Sequence, residues 1–167
     1  LGGPQAGLLV GRAAASEQMR SHPLYRALRA DKLRIAALEA TLDAYARGAS
    51  AVEVPAQRFI AMSSAEIKAR AEQFVERLRR HIDSGIQLEV IKGESAVGGG
   101  AAPTAHLRTV LISLTCGNLT ANEVEAALRS SSPPVIARIV GDRVLVDLRT
   151  VTEAEESEVE EAILALS

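Results

Sequence analysis

The chain has 167 residues, of which 47% are apolar and 24% charged, with a formal net charge of −2. That balance excludes a disordered chain and allows a real core. The four aromatics, Tyr25, Tyr45, Phe59 and Phe74, leave the core to aliphatic side chains.

Other classes fall away on residue type and spacing. One cysteine, Cys116, excludes an internal disulfide framework and fits a reducing compartment. Its distance in sequence from His22, His81 and His106 gives no zinc spacing, so no metal site is expected. No apolar run reaches the roughly 18 residues of a membrane span, and no basic stretch leads into an apolar one at the start. The expected location is cytoplasmic.

The chain opens Leu1-Gly2-Gly3-Pro4-Gln5-Ala6-Gly7 and runs into Leu8-Leu9-Val10. A glycine-rich turn feeding a short apolar segment predicts a buried strand over 6–10. Such a unit belongs in the interior of a fold, so the chain is expected to be the C-terminal piece of something longer. A short helix is predicted over 13–20. His22-Pro23 interrupts it, because the residue before proline is steered away from helix. Residues 24–29 read as a turn of helix or loop. Asp31 caps a longer helix to Arg47, with Gly48 closing it. Its alanines and leucines occupy more than one face, which suits a subunit interface.

Residues 49–62 read as a connection with Pro55 and a short helical piece. Ser63 and Glu66 have capping-box spacing. They open a helix whose stripe is Ile67, Ala71, Phe74, Val75, Leu78 and Ile82, closed by Gly85. Residues 86–92 alternate like a half-buried strand, and 107–114 read as another. Gly98-Gly99-Gly100 between them reads as a connector or a loop near a ligand. Thr120 with Glu123 opens a short helix to Leu128. Residues 135–140 and 143–148 flank Gly141-Asp142 as a hairpin. Thr152 with Glu155 opens a last helix, with Val159, Ile163 and Leu166 inward. The order from residue 64 is that of an α+β domain. The first 100 residues are net +3 and the rest net −5; the acidic end reads as a solvated helix face.

Few residues suggest chemistry. Arg26 and Arg29 are three apart. On a helical turn they would project together and could grip a phosphate-like anion; a plain solvated basic turn fits the same spacing. Gly2-Gly3-Pro4-Gln5 is neither a P-loop nor a dinucleotide fingerprint. It is a tight turn, or backbone brought close to a ligand. Arg138 interrupts an apolar strand, facing water or reaching into a cleft. Cys116 and the histidines read as structural or exposed, and Lys32 as a helix-start or ion-pair residue.

The runs Leu1 to Gly7 and His22-Pro23-Leu24-Tyr25-Arg26-Ala27-Leu28-Arg29-Ala30-Asp31-Lys32 resemble the bacterial L-seryl-tRNA(Sec) selenium transferases. So do Gly98-Gly99-Gly100, Pro133 to Ile139, and Leu145-Val146-Asp147-Leu148-Arg149-Thr150-Val151, in the same order. The resemblance implies an α/β, fold-type I enzyme dependent on pyridoxal 5'-phosphate. Such an enzyme converts seryl-tRNA(Sec) to selenocysteinyl-tRNA(Sec) with selenophosphate, as a cytoplasmic homo-oligomer built as a ring of dimers.

The family's Schiff-base lysine lies just before the Leu-Leu-Gly-Gly-Pro-Gln run, hence upstream of Leu1. The resemblance therefore implies that these 167 residues hold no catalytic residue, are inactive alone, and meet tRNA through a missing N-terminal region. It assigns Arg26 and Arg29 to the selenophosphate-like anion and Arg138 to substrate, with His22 as a contributor. Gly2, Gly3 and Gln5 fall to the cofactor neighbourhood. The implied division is 1–50 as the tail of the large cofactor-binding domain with an interface helix, 51–63 as linker, and 64–167 as the small α+β domain. A related lyase acting on a phosphorylated substrate, or a stand-alone interaction domain, remain as alternatives. Residues 1–50 are expected not to fold stably alone.

Overall fold

The computed structural model describes residues 2–97 and 106–166. The Gly98-Gly99-Gly100 loop and the His106 side chain lie outside what it describes. The chain forms two compact units, divided between Ala61 and Met62.

The first unit is helical: α1 (Ala13–Ser21), α2 (Pro23–Ala27), α3 (Lys32–Ala46), α4 (Ser50–Glu53) and α5 (Pro55–Ala61). Each break has a local cause. His22 is extended, and its Nδ1 accepts the Leu24 N–H at 3.2 Å, while Pro23 takes the first helical position, where no donor is needed. Asp31 Oδ1 accepts the Arg34 N–H at 2.9 Å and starts α3. Gly48, at φ +71°, ends it in the left-handed conformation that glycine adopts without strain. Arg47 then ties α3 to α4, donating to both carboxylate oxygens of Glu53 at 2.9 and 2.7 Å and to Asp43 at 2.8 Å. The stretch read as a connection from residue 51 thus runs through two short helices to Ala61, within the first unit.

The strand expected over 6–10 does not form: these residues carry no regular structure, and Leu9 and Val10 are exposed. A strand needs a hydrogen-bonded neighbour, and the first unit has none among its described residues. Ala44 and Val54 are its only buried apolar residues among those described.

The second unit is α+β. Its elements are α6 (Ser64–Leu78), β1 (Ile86–Ala96), β2 (His106–Cys116), α7 (Ala121–Arg129), β3 (Arg138–Val140), β4 (Arg143–Val146) and α8 (Glu156–Leu164). The sheet is antiparallel throughout, in the order β1-β2-β4-β3. Ile86 faces Cys116 at one end of the β1–β2 ladder and Ala96 faces His106 at the other. This hairpin outruns the alternation visible in sequence, because Gly93 lies where any Cβ would strike the Leu111 side chain. Gly141 and Asp142 both have positive φ, +58° and +61°. A two-residue hairpin loop requires this, and aspartate tolerates it.

Alternation places Ile86 and Leu88, then Val110, Ile112 and Leu114, then Val144 and Val146, in the core. They pack with Ile67, Phe74 and Leu78 of α6, Val124 and Leu128 of α7, and Val159 and Ile163 of α8. Phe74, Ile67, Leu78 and Ile112 are fully buried. Burial of such side chains, at about 1.5–3 kcal/mol each, is the main stabilising term of this unit. The helix α6 stops at Leu78, short of the expected Ile82, which packs against the core from the turn that follows.

Candidate functional site

The residues singled out from sequence fall into both units. Arg26 sits in the last turn of α2, and Arg29 lies beyond its end at Leu28. One continuous helical turn therefore does not present them together. Both are exposed. Among the described residues neither has an ion-pair or hydrogen-bond partner, so their donors are available to an anion. The surrounding chain is basic: Arg20, Lys32 and Arg34 are exposed as well, and among the described residues only Arg34 of these pairs, with Asp31 at 3.5 Å.

Gly2 and Gly3 serve close approach. Gly2 takes φ +78°, and a Cβ there would come within 2.9 Å of Val54 and 3.0 Å of Ala56. A Cβ on Gly3 would collide with Thr41 of α3. The turn is thus pressed onto α3 and the α4–α5 corner. With Pro4, Gln5, Leu8 and Leu38 it lines an open groove of about 350 Å³. Arg26 and Arg29 are not part of that lining.

Arg138, in the second unit, opens the edge strand β3. Its two terminal nitrogens donate to the Glu94 carbonyl at 3.3 and 3.2 Å. Beside it lies a buried polar network that the sequence reading did not single out as a site. Asp147 Oδ2 accepts the Ser95 hydroxyl at 2.6 Å, and its Oδ1 accepts Thr109 Oγ1 at 3.1 Å and the Arg149 backbone N–H at 3.0 Å. Arg149 is 3% exposed. It donates to Ser95 Oγ, the Met62 carbonyl and the Arg108 carbonyl at 2.9, 2.8 and 2.8 Å. The Asp147-Leu148-Arg149-Thr150 run was the available signal.

A second arginine supports the same turn. Arg70 donates to the Leu148 and Val151 carbonyls at 3.3 and 2.8 Å and to Glu156 at 2.8 Å. The Arg77 guanidinium is held above its ordinary range, first by its bond to Glu156. Cys116 is half-buried and donates to Asn118 Oδ1 at 3.0 Å, a local contact with no histidine in it.

These residues do not by themselves fit pyridoxal phosphate. That group needs a lysine amine held in a partly desolvated pocket. Lys32, Lys68 and Lys92 are all exposed, and Lys68 faces Glu72 at 3.5 Å. Among the described residues no cluster of histidine, cysteine and carboxylates could hold a metal, and no helix is long and apolar enough to cross a membrane.

A helical leading unit with an exposed basic turn, followed by an α+β unit, defines a mixed α/β chain. The family model SelA, L-seryl-tRNA selenium transferase, matches residues 1–152, and the chain belongs to that family. It is 44% identical to the L-seryl-tRNA(Sec) selenium transferase of Geobacter sulfurreducens, over 100% of this chain and 36% of the relative. The protein of the same name from Nitratidesulfovibrio vulgaris is 38% identical over 93% of this chain and 33% of the relative. That from Clostridium botulinum is 36% identical over 93% and 34%. The chain spans about a third of the length of these relatives.

Proposed function

We propose that this chain is the part of a selenium transferase that follows the Schiff-base lysine, and that the whole protein converts seryl-tRNA(Sec) to selenocysteinyl-tRNA(Sec). Selenophosphate is the selenium donor and pyridoxal 5'-phosphate the cofactor, which acts as an electron sink when bound. The observation that carries this reading is identity to such transferases along the whole chain.

The chain's own part is to hold substrates. Arg26 and Arg29, exposed and without protein partners among the described residues, grip the phosphate-like part of selenophosphate. Arg138 holds the aminoacyl substrate. Gly2, Gly3 and Gln5 form the rim of the cofactor neighbourhood. The division into a large-domain tail over 1–50, a connection and a small domain from residue 64 follows the family's plan. The protein acts as a cytoplasmic homo-oligomer, and the exposed Leu33 and Ile35 of α3 support a subunit contact there.

The test is steady-state selenium transfer by the full-length protein carrying Arg26→Ala or Arg29→Ala. The KM for selenophosphate rises at least tenfold in each, while the KM for seryl-tRNA(Sec) changes little. An unchanged selenophosphate KM in both variants removes these arginines from the anion site.

A further inference from the structure

We infer that the buried Ser95–Asp147–Arg149 network is a positioning device for Arg138. It fixes the Glu94 carbonyl on which that guanidinium rests. The inference builds on the reading that Arg138 holds the aminoacyl substrate.

The geometry runs through one peptide unit. Both terminal nitrogens of Arg138 converge on Glu94 O, and the planar amide that carries this oxygen ends on the nitrogen of Ser95. Ser95 cannot turn freely. Its hydroxyl donates to Asp147 at 2.6 Å and accepts from Arg149 Nε at 2.9 Å, so both of its roles are assigned. Both bonds involve a charged partner and are of the stronger kind. Arg149 is fixed in turn by the Met62 and Arg108 carbonyls at 2.8 Å each.

The backbone ladder alone holds this point less well. β1 is an edge strand paired on one side only, and Ser95↔Leu107 is the last but one pair of its ladder. Terminal pairs open most readily. The network anchors that end to β2, to the turn after β4 and to the chain entering α6. The guanidinium N–H groups of Arg138 not spent on Glu94 have no partner among the described residues and remain available to a ligand.

The test uses the full-length protein with seryl-tRNA(Sec) and selenophosphate, comparing Ser95→Ala, Arg138→Ala, the double variant and Ser95→Thr. Ser95→Ala raises the KM for seryl-tRNA(Sec) on the order of fivefold, with kcat within about twofold. It adds nothing in the Arg138→Ala background. Ser95→Thr, which keeps the hydroxyl, restores the parent KM. Amide exchange at residues 94–96 quickens in Ser95→Ala alone. If Ser95→Ala does not fold, Thr109→Val, which removes one bond to Asp147, gives the same pattern in weaker form. A raised KM in Arg138→Ala with none in Ser95→Ala or Thr109→Val, or full additivity in the double variant, overturns the positioning role. An unchanged KM in Arg138→Ala instead overturns the substrate-holding reading on which it rests.

Discussion

Arg70 and Glu156 lie 86 residues apart in sequence and meet at 2.8 Å between α6 and α8. The same carboxylate takes Arg77 at 2.8 Å through its other oxygen. Glu156 therefore pins the last helix to the helix that spans the sheet, while Arg70 also holds two carbonyls flanking the 148–150 turn. Glu156→Ala leaves Arg70 without its carboxylate in a site where its side chain is 16% exposed. Breaking one partner out of a buried pair costs about 3 kcal/mol. Urea unfolding should show that loss, and a change below about 0.5 kcal/mol would place the pair among the weak surface bridges.

Arg149 makes the stronger claim on stability, since its fork reaches three separate segments. Arg149→Met removes every one of those bonds and leaves Ser95 Oγ and the Met62 and Arg108 carbonyls without their guanidinium donors. A loss of about 3–5 kcal/mol is expected from the buried acceptors left unpaired, larger than that of Arg149→Lys, whose ammonium keeps the charge but not the planar fork. Thermal melts of the two variants check the order; a lysine variant as unstable as the methionine one would assign the effect to shape alone.

Two carboxylates make folding sensitive to acid. Glu66 is held below its ordinary value of 4.5 chiefly by the Ser63 hydroxyl, with the Ser63 N–H adding to it. Glu123 is held below 4.5 by the Thr120 N–H first and its hydroxyl second. A lowered folded-state value means the stabilisation is complete above pH 4.5 and is lost as pH falls through the lower, folded-state values. Ser63→Ala and Thr120→Ala should each cost about 1 kcal/mol at pH 7 and flatten the decline of stability below pH 4.5. Variants that keep the parent's acid slope would contradict this.

The capping boxes were legible because their partners lie three residues apart. So were the alternation of the strands and the helical stripe of α6, which are properties of single elements. The 6–10 strand was misread because an apolar run states a preference, whereas a strand requires a neighbour. Three-residue spacing predicts that Arg26 and Arg29 share a helical turn, but α2 ends between them, which spacing alone does not reveal. The Asp147-Leu148-Arg149-Thr150 run shows two members of the Ser95–Asp147–Arg149 network, but no local pattern brings in Ser95, which meets them across 52 and 54 residues. Arg70 lies off the apolar stripe of its helix, yet it is covered by α8 and the 148–150 turn through partners 78 to 86 residues away.

The two units should differ in local stability. The first buries only Ala44 and Val54 among its described apolar residues and exposes Leu8, Leu9, Val10, Leu33 and Ile35. Hydrogen exchange on the isolated 167-residue chain should show weak protection through residues 6–47 and strong protection in β1, β2 and α6. Strong protection throughout 6–47 in a monomer would show that the first unit needs no further cover.

Whether the full-length protein is a selenium transferase is decided by the identity of its product. The full-length protein, with pyridoxal 5'-phosphate, is incubated with tRNA(Sec) charged with labelled serine and with selenophosphate, and the aminoacyl group is then released and identified. Labelled selenocysteine is expected, with the yield collapsing in the Arg26→Ala, Arg29→Ala double variant. Recovery of unchanged labelled serine from an intact, cofactor-loaded protein would contradict it.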